Sequence, residues 1–195
     1  YAGCLAQIVL VHGGLIRFVL GLPGVRFFRG IFDAQAVAYS TASSSATLPV
    51  TLTCVQENLG VGRTVASSVL PLGATINMDG TAMYLGIVAM FSAQVFNIDV
   101  GFGTYLLVAL TVTMVSIGAA GIPSASLFLL ATVLSVFGLT DVQTALIVGF
   151  ILPFDRVLDM ARTAVNVTGD AAVATAVAKW EGQLDEDTFR TPATV

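Results

Sequence analysis

Residues 155–170 read DRVLDMARTAVNVTGD. They put five of the chain's twenty charged residues into sixteen positions of a segment that is otherwise apolar enough for a membrane helix. On an α-helix, positions three and four apart share a face. Asp155, Asp159, Arg162, Asn166 and Asp170 step by 4, 3, 4 and 4, so they form one stripe with Thr163 beside it. Val157, Leu158, Ala161, Ala164, Val165 and Val167 point elsewhere. An isolated charge at the bilayer centre costs roughly 2.5–3.5 kcal/mol on insertion scales, so a stripe of five polar groups needs partners or a ligand. Mutual neutralisation of Asp159 and Arg162 in a bundle core would leave Asp155, Asn166 and Asp170 unexplained.

The membrane setting follows from composition. Of 195 residues, 56% are hydrophobic and 10% charged, against the 45–50% and about 25% usual in soluble domains. Such a chain has too few charges for a water-compatible surface, which predicts an all-α integral membrane protein. The net charge of −4 carries no basic patch and excludes nucleic acid as a partner. Cys4 and Cys54 lie in apolar segments and form no disulfide or metal framework, and the lone His12 reads as a helix residue. The chain starts at Tyr1 inside an apolar run, which suggests truncation at the N-terminus.

A full span needs about 20 apolar residues, whereas runs of 10–14 suggest re-entrant pieces. Spans are expected at 1–22, at 65–96 with a break at NMDGT (77–81), and at 142–178, followed by a cytoplasmic tail at 179–195. Two pairs of shorter segments, 31–57 around STASSSAT and 104–137 around GAAGIPSAS, read as half-length helices meeting at small-residue tips. Irregular backbone at membrane depth is tolerated where protein buries it or water lines it, so two such hairpins imply a site. Arg26, Arg29, Arg63, Lys179 and Arg190 fall in loops on one side, while 97–103 and 138–142 carry only Asp99 and Asp141. The positive-inside rule then has the hairpins entering from opposite faces, as in an inverted repeat with its sites near the midplane. The C-terminus is cytoplasmic in this scheme.

The stripe also suggests its ligand. Arg162 offers a planar fork for a carboxylate, and Asp159 can accept from an ammonium group. An amino acid with a side-chain carboxylate has both. Asp170 and Asp79 stand beside asparagines and broken helices, where freed carbonyls and carboxylates suit a hard cation such as Na⁺.

SSSATLP (43–49), GATINMDGT (73–81), GAAGIP (118–123) and DMARTAVNVTGD (159–170) together resemble the glutamate transporter family, the dicarboxylate/amino acid:cation symporters. The likeness covers nearly the whole chain and is to the C-terminal, transport-domain portion of a prokaryotic-like glutamate/aspartate:sodium symporter. It implies a multi-pass protein of the cell membrane, a homotrimer whose scaffold comes from earlier spans absent here, and elevator-type movement of the transport domain through the lipid bilayer. It implies no enzyme activity and no organic cofactor, with Na⁺ as the coupling ion.

The resemblance also implies roles for single residues. Arg162, helped by Thr81, would clasp the substrate's side-chain carboxylate, and Asp159 would take its amino group. Asn166, Ser43 and Ser44 would hold the main carboxylate, with Ala42 and Thr163 lining the site. The tip from Ile122 to Ser126 would be the extracellular gate. One sodium would use Gly73, Asn77, Asn166 and Asp170. A second would use the carbonyls of Thr75, Ser116, Ile117 and Ala119. A third would involve Asp79 and Asn77, with the rest of its ligands outside this chain.

There are three departures from the family pattern. Ala119 stands where threonine is common and Ser126 where glycine is common. A second arginine expected near the substrate is replaced by Ala42 and Met160, and Arg156, one turn before Met160, is the candidate to take over its role. Two rival readings are a C4-dicarboxylate or proton-coupled symporter of the same family and, from another class, an intramembrane aspartyl protease using Asp79 and Asp170. The protease motif places glycine three residues before its second aspartate, where this chain has Val167.

Overall fold

The computed structural model describes residues 1–191, and these are helical almost throughout. Residues 192–195 of the expected tail lie outside the described residues. The first span, Ala2–Val19, is the one described helical stretch long and apolar enough to cross a membrane on length and composition alone. It departs from the regular helix expected. After α1 (Ala2–Ala6) it widens into π-helical turns at Gln7–His12 and Leu15–Val19.

A short α2 (Gly24–Gly30) leads into α3 (Phe32–Thr41). α3 ends where Ala42 turns left-handed (φ 52°), and Ser43 then starts α4 (Ser44–Thr53) by accepting the Ala46 N–H on its Oγ at 3.1 Å. A side-chain cap of this kind satisfies one of the amide groups that a helix start leaves open. α4 continues as a π-turn over Cys54–Asn58.

α5 (Arg63–Ile76) and α6 (Asp79–Val95) follow. The interruption expected over 77–81 is confined to Asn77 and Met78, because Asp79 already occupies the first turn of α6. A carboxylate is favourable at that positive helix end. α7 (Phe102–Ile117) and α8 (Ala125–Leu134) flank an irregular tip at 118–124, where Ser124 is left-handed (φ 58°).

α9 (Asp141–Trp180) is one unbroken helix of 40 residues, about 60 Å at 1.5 Å per residue. Thr140 and Gln143 start it with a reciprocal capping box. α9 touches α3, α4, α5, α6 and α8. Its first half packs Ile147 and Ile151 into a core with α6, α7 and α8, and its second half packs Ala171 to Ala178 into a core with the first helix, α2 and α5. The stripe lies at the junction of these two cores.

The described residues beyond α9 form no loose tail. The chain turns back, Gly62 donates to the Gln183 carbonyl at 2.8 Å, and Asp185 donates to the Gly60 carbonyl at 2.8 Å. α10 (Glu186–Arg190) then buries Phe189 completely against the core beneath α2. Lys179 reaches Glu186 at 2.7 Å, and the hydrogen bonds from Lys179 and Arg190 hold the Glu186 carboxyl below its ordinary range. By contrast, large apolar side chains remain bare on the outer faces of the first helix, α7 and α8, Phe18 and Phe128 being 86% and 84% exposed. An apolar surface of this extent marks a membrane or partner face rather than one meant for water.

Candidate functional site

Arg162 stands at the centre of the α9 stripe with its charge fully buried. Its Nε donates to Asp159 Oδ1 at 2.8 Å and its Nη1 to Asp155 Oδ1 at 3.2 Å. The guanidinium lies 4.2 Å from the centre of the Tyr84 ring, and the Tyr84 hydroxyl donates to Asp155 Oδ1 at 3.3 Å. Burying one cation between two carboxylates and an aromatic face is tolerable because each desolvated charge keeps a partner. The set is incomplete, however: Arg162 Nη2 and Asp155 Oδ2 are buried without any hydrogen bond, as is Ser126 Oγ. A buried polar atom left unpaired costs about 1–3 kcal/mol, so these three atoms are fitted for something other than each other.

The tips of the two hairpins close over this centre. Ser124 N–H donates to Asp159 Oδ2 at 2.6 Å, and Ser43 Oγ–H donates to the Gly121 carbonyl at 2.6 Å, with Ser45 N–H on the same carbonyl at 3.2 Å. Between the tips and α9 lies a space of about 20 Å³ lined by Ala42, Ser44, Thr81, Ile122, Ser126, Asp159, Arg162, Thr163 and Asn166, together with Ala119. Ser43 is at the seam rather than on the wall. That volume suffices for a single water, so an amino acid enters only if the tips part.

Two features bear on the roles the sequence suggested. Two of Arg162's five N–H donors are taken by aspartates, which leaves one on Nη1 and both on Nη2 for a ligand. Asn166 is committed to the start of α6, its Oδ1 accepting the Gly80 N–H at 2.8 Å and its Nδ2 reaching Thr81 Oγ1 at 3.3 Å. A Cβ on Gly80 would run into the Arg162 carbonyl, so this close approach of α6 to α9 demands glycine. Arg156 lies outside the buried centre, with Nη2 at 3.5 Å from the Thr41 carbonyl at the end of α3.

A second polar centre sits one to two turns along α9. Asp170 is buried and accepts from Asn77 Nδ2 at 3.0 Å, and the same Nδ2 lies 3.5 Å from the Asn166 carbonyl. A Cβ on Gly73 would lie 2.6 Å from Asp170 Oδ1, so Gly73, Asn77, Asn166 and Asp170 all converge. Asp79 is instead held by His12 Nε2 at 2.7 Å and Gln7 Nε2 at 3.0 Å. Neither partner was singled out from sequence. Positions 7 and 12 fall 140° apart on an α-helix, but the π-helical turn, closing on i and i+5, brings them to one side. Tyr84 was also missed, although it follows Thr81 at helical spacing on the same face.

The remaining cation candidates occupy the carboxyl ends of two helices. α5 ends at Ile76 and α7 at Ile117, and the Ala74 carbonyl is close enough to the second tip that a Cβ on Gly121 would lie 2.8 Å from it. Ser116 and Ala119 are buried there, whereas Ile117 and the Thr75 side chain face outward. Helix carboxyl ends carry partial negative charge. Among the described residues no three His, Cys, Asp or Glu side chains gather as a metal site, so any cation here would rely on carbonyls with single carboxylates.

The family model for sodium:dicarboxylate symporters matches residues 1–180. The chain belongs to the sodium:dicarboxylate symporter family. Relatives include an excitatory amino acid transporter of Caenorhabditis elegans, 51% identical over 74% of this chain and 28% of its own length. Excitatory amino acid transporters 2 and 5 of Homo sapiens are 45% and 47% identical over 84% and 85% of the chain, and 29% and 30% of their own lengths. The chain thus spans less than a third of these relatives. Members of the symporter family are membrane transporters and not enzymes, which removes the aspartyl-protease reading. The all-helical fold accords with this membership.

Proposed function

We propose that the chain forms the transport domain of a multi-pass symporter that takes up aspartate or glutamate across the cell membrane together with sodium. The observation that carries this reading is the buried Arg162 held between Asp155 and Asp159 beneath two hairpin tips. In it, the substrate ammonium displaces the Ser124 N–H from Asp159 Oδ2. The substrate's side-chain carboxylate meets Arg162 Nη2, and the second N–H of Nη1 completes the two-point contact. Ser126 Oγ–H becomes a further donor as the second tip closes again.

Charge explains the coupling. Arg162 with its two aspartates sums to −1, the ionised substrate adds another −1, and Asp170 a third. Cations must enter with the substrate to keep such a cluster out of water. The oxygen-rich surroundings of Asp170 and of the α5 and α7 ends suit Na⁺. A C4-dicarboxylate would bring two negative charges and no ammonium for Asp159, which makes it the poorer ligand.

The hairpins are the re-entrant elements of this scheme. α3, α4 and α8 have 10 residues each, about 15 Å, half of a 30 Å hydrocarbon layer. Their tips meet near the midplane, and the domain moves as an elevator against a scaffold outside residues 1–195, in a homotrimer with cytoplasmic C-termini.

Radiolabelled L-aspartate binding to the complete gene product, in NaCl and in choline chloride, tests the proposal. Binding should require sodium. It should weaken roughly 10- to 150-fold in Arg162→Ala, the worth of about 1.5–3 kcal/mol for a charged hydrogen bond. The double variant Arg162→Ala/Asp155→Asn guards against simple misfolding from unpaired carboxylates. Sodium-independent binding would assign the coupling to protons, and succinate binding in place of aspartate would assign the dicarboxylate branch.

A further inference from the structure

The first helix, α2 and α10 enclose an open groove of about 700 Å³. Its walls are apolar, with Leu10, Phe18 and Val25 between 67% and 86% exposed, and the charges lining it are those of Arg17 and Arg190, with no Asp or Glu. Arg17 makes no hydrogen bond or ion pair among the described residues, while Arg190 is held in place by one bond to Glu186 at 3.1 Å. Arg29, four residues after Val25, adds a third cation on the same side of α2 by helical spacing.

The groove's floor gives a second observation. Gly14 and Gly24 line it, neither has a positive φ, and a Cβ built on either meets nothing within 4 Å. No described residue therefore stands where a larger side chain at these two places would go, and with glycine there the groove stays deep. Gly30, by contrast, is packed against Leu59. A deep apolar channel with cations at its rim, at the arginine-rich end of a membrane helix, matches an acyl chain below a phosphate. Basic pockets between helices on the cytoplasmic side bind anionic headgroups for this reason.

We infer that this groove binds an anionic phospholipid of the inner leaflet, with its phosphate between Arg17 and Arg190 and an acyl chain along Leu10, Phe18 and Val25. The inference rests on the membrane orientation proposed above. Arg190 belongs to the α10 strap that clasps the start of α5, so the lipid would also tie that strap to the membrane surface.

The test is native mass spectrometry of the complete gene product released from nanodiscs of phosphatidylcholine with phosphatidylglycerol. Phosphatidylglycerol should be retained in preference to phosphatidylcholine. Its retention should fall about five-fold in Arg17→Gln, the effect of one cation near an anionic surface. It should be lost in Gly14→Leu, which fills the groove from its floor. Arg63→Gln, an exposed arginine outside the groove, should leave retention unchanged, and soluble glycerol 3-phosphate should not compete. Equal retention of the two lipids overturns the inference. So does unchanged retention in both groove variants, competition by glycerol 3-phosphate, or another segment of the same polypeptide crosslinking to a cysteine at position 17. Aspartate binding measured on the same samples separates the two readings, since its loss with phosphatidylglycerol retained would sink only the transport proposal.

Discussion

Gly121→Ala should unlatch the two hairpin tips. The Gly121 carbonyl accepts from Ser43 Oγ and Ser45 N, and a Cβ there would stand 2.5 Å from Ser45 Oγ, 2.8 Å from the Ala74 carbonyl and 3.2 Å from Ser45 N. The serine hydroxyl can rotate away. The other two are backbone atoms of α5 and of the first tip and cannot. Relief then comes from moving the second tip outward by about half an ångström or more, which sacrifices both hydrogen bonds. At about 1 kcal/mol each the closed arrangement loses about 2 kcal/mol, and the open population rises about 30-fold. Ser126 lies beneath this tip and is buried, so the labelling rate of a Ser126→Cys thiol reads the opening. It should rise about 30-fold in Gly121→Ala. Gly118→Ala is the matched control, because the nearest atom to its Cβ is the Val115 carbonyl at 3.6 Å. Buried Cys54, far along the first hairpin, reports general unfolding. Equal rates in the two alanine variants, or Cys54 labelling that rises in step, would refute the reasoning.

Two further predictions concern the rim of the domain. Arg156→Ala removes an exposed contact to the end of α3, and such contacts are worth about 0.2–1 kcal/mol. Aspartate affinity should therefore fall by no more than about five-fold; no change at all in affinity or uptake rate would show that Arg156 does not replace the missing second arginine. Asp185, fully exposed, starts α10 and is held below the ordinary carboxylate range by hydrogen bonds from the Thr188 hydroxyl and N–H and from the Asp187 N–H. Its contribution is thus present above the ordinary carboxylate pKa and lost as pH falls through the depressed folded value. Protection of the Asp187 and Thr188 amides, their exchange rate relative to the intrinsic rate at each pH, should fall only on acidification, and Asp185→Asn, which also caps helices well, should erase that dependence. Protection that is flat with pH in the unsubstituted protein counts against it.

What could be read in the chain alone was whatever obeys local periodicity. The 4-3-4-4 spacing of Asp155, Asp159, Arg162, Asn166 and Asp170 puts them on one face of any α-helix. Runs of small residues at 40–47 and 118–126 mark where paired short helices turn, and the scarcity of charge demands a membrane. The tertiary structure decided who meets whom. Periodicity places Arg162 near Asp159 but says nothing of Tyr84 beneath it or of Ser124 on the far oxygen, since both arrive from other helices. It also misassigns Gln7 and His12, because the widened π-turn that turns them together onto Asp79 has a different angular period. The strap from Asp185 to Arg190 looked like a polar tail, since one phenylalanine among charges carries no pattern, yet Phe189 finds a buried pocket that only the packed helices create. Local rules specify which side chains share a face; which faces close on one another depends on contacts between residues up to 156 positions apart, and no window of sequence contains those.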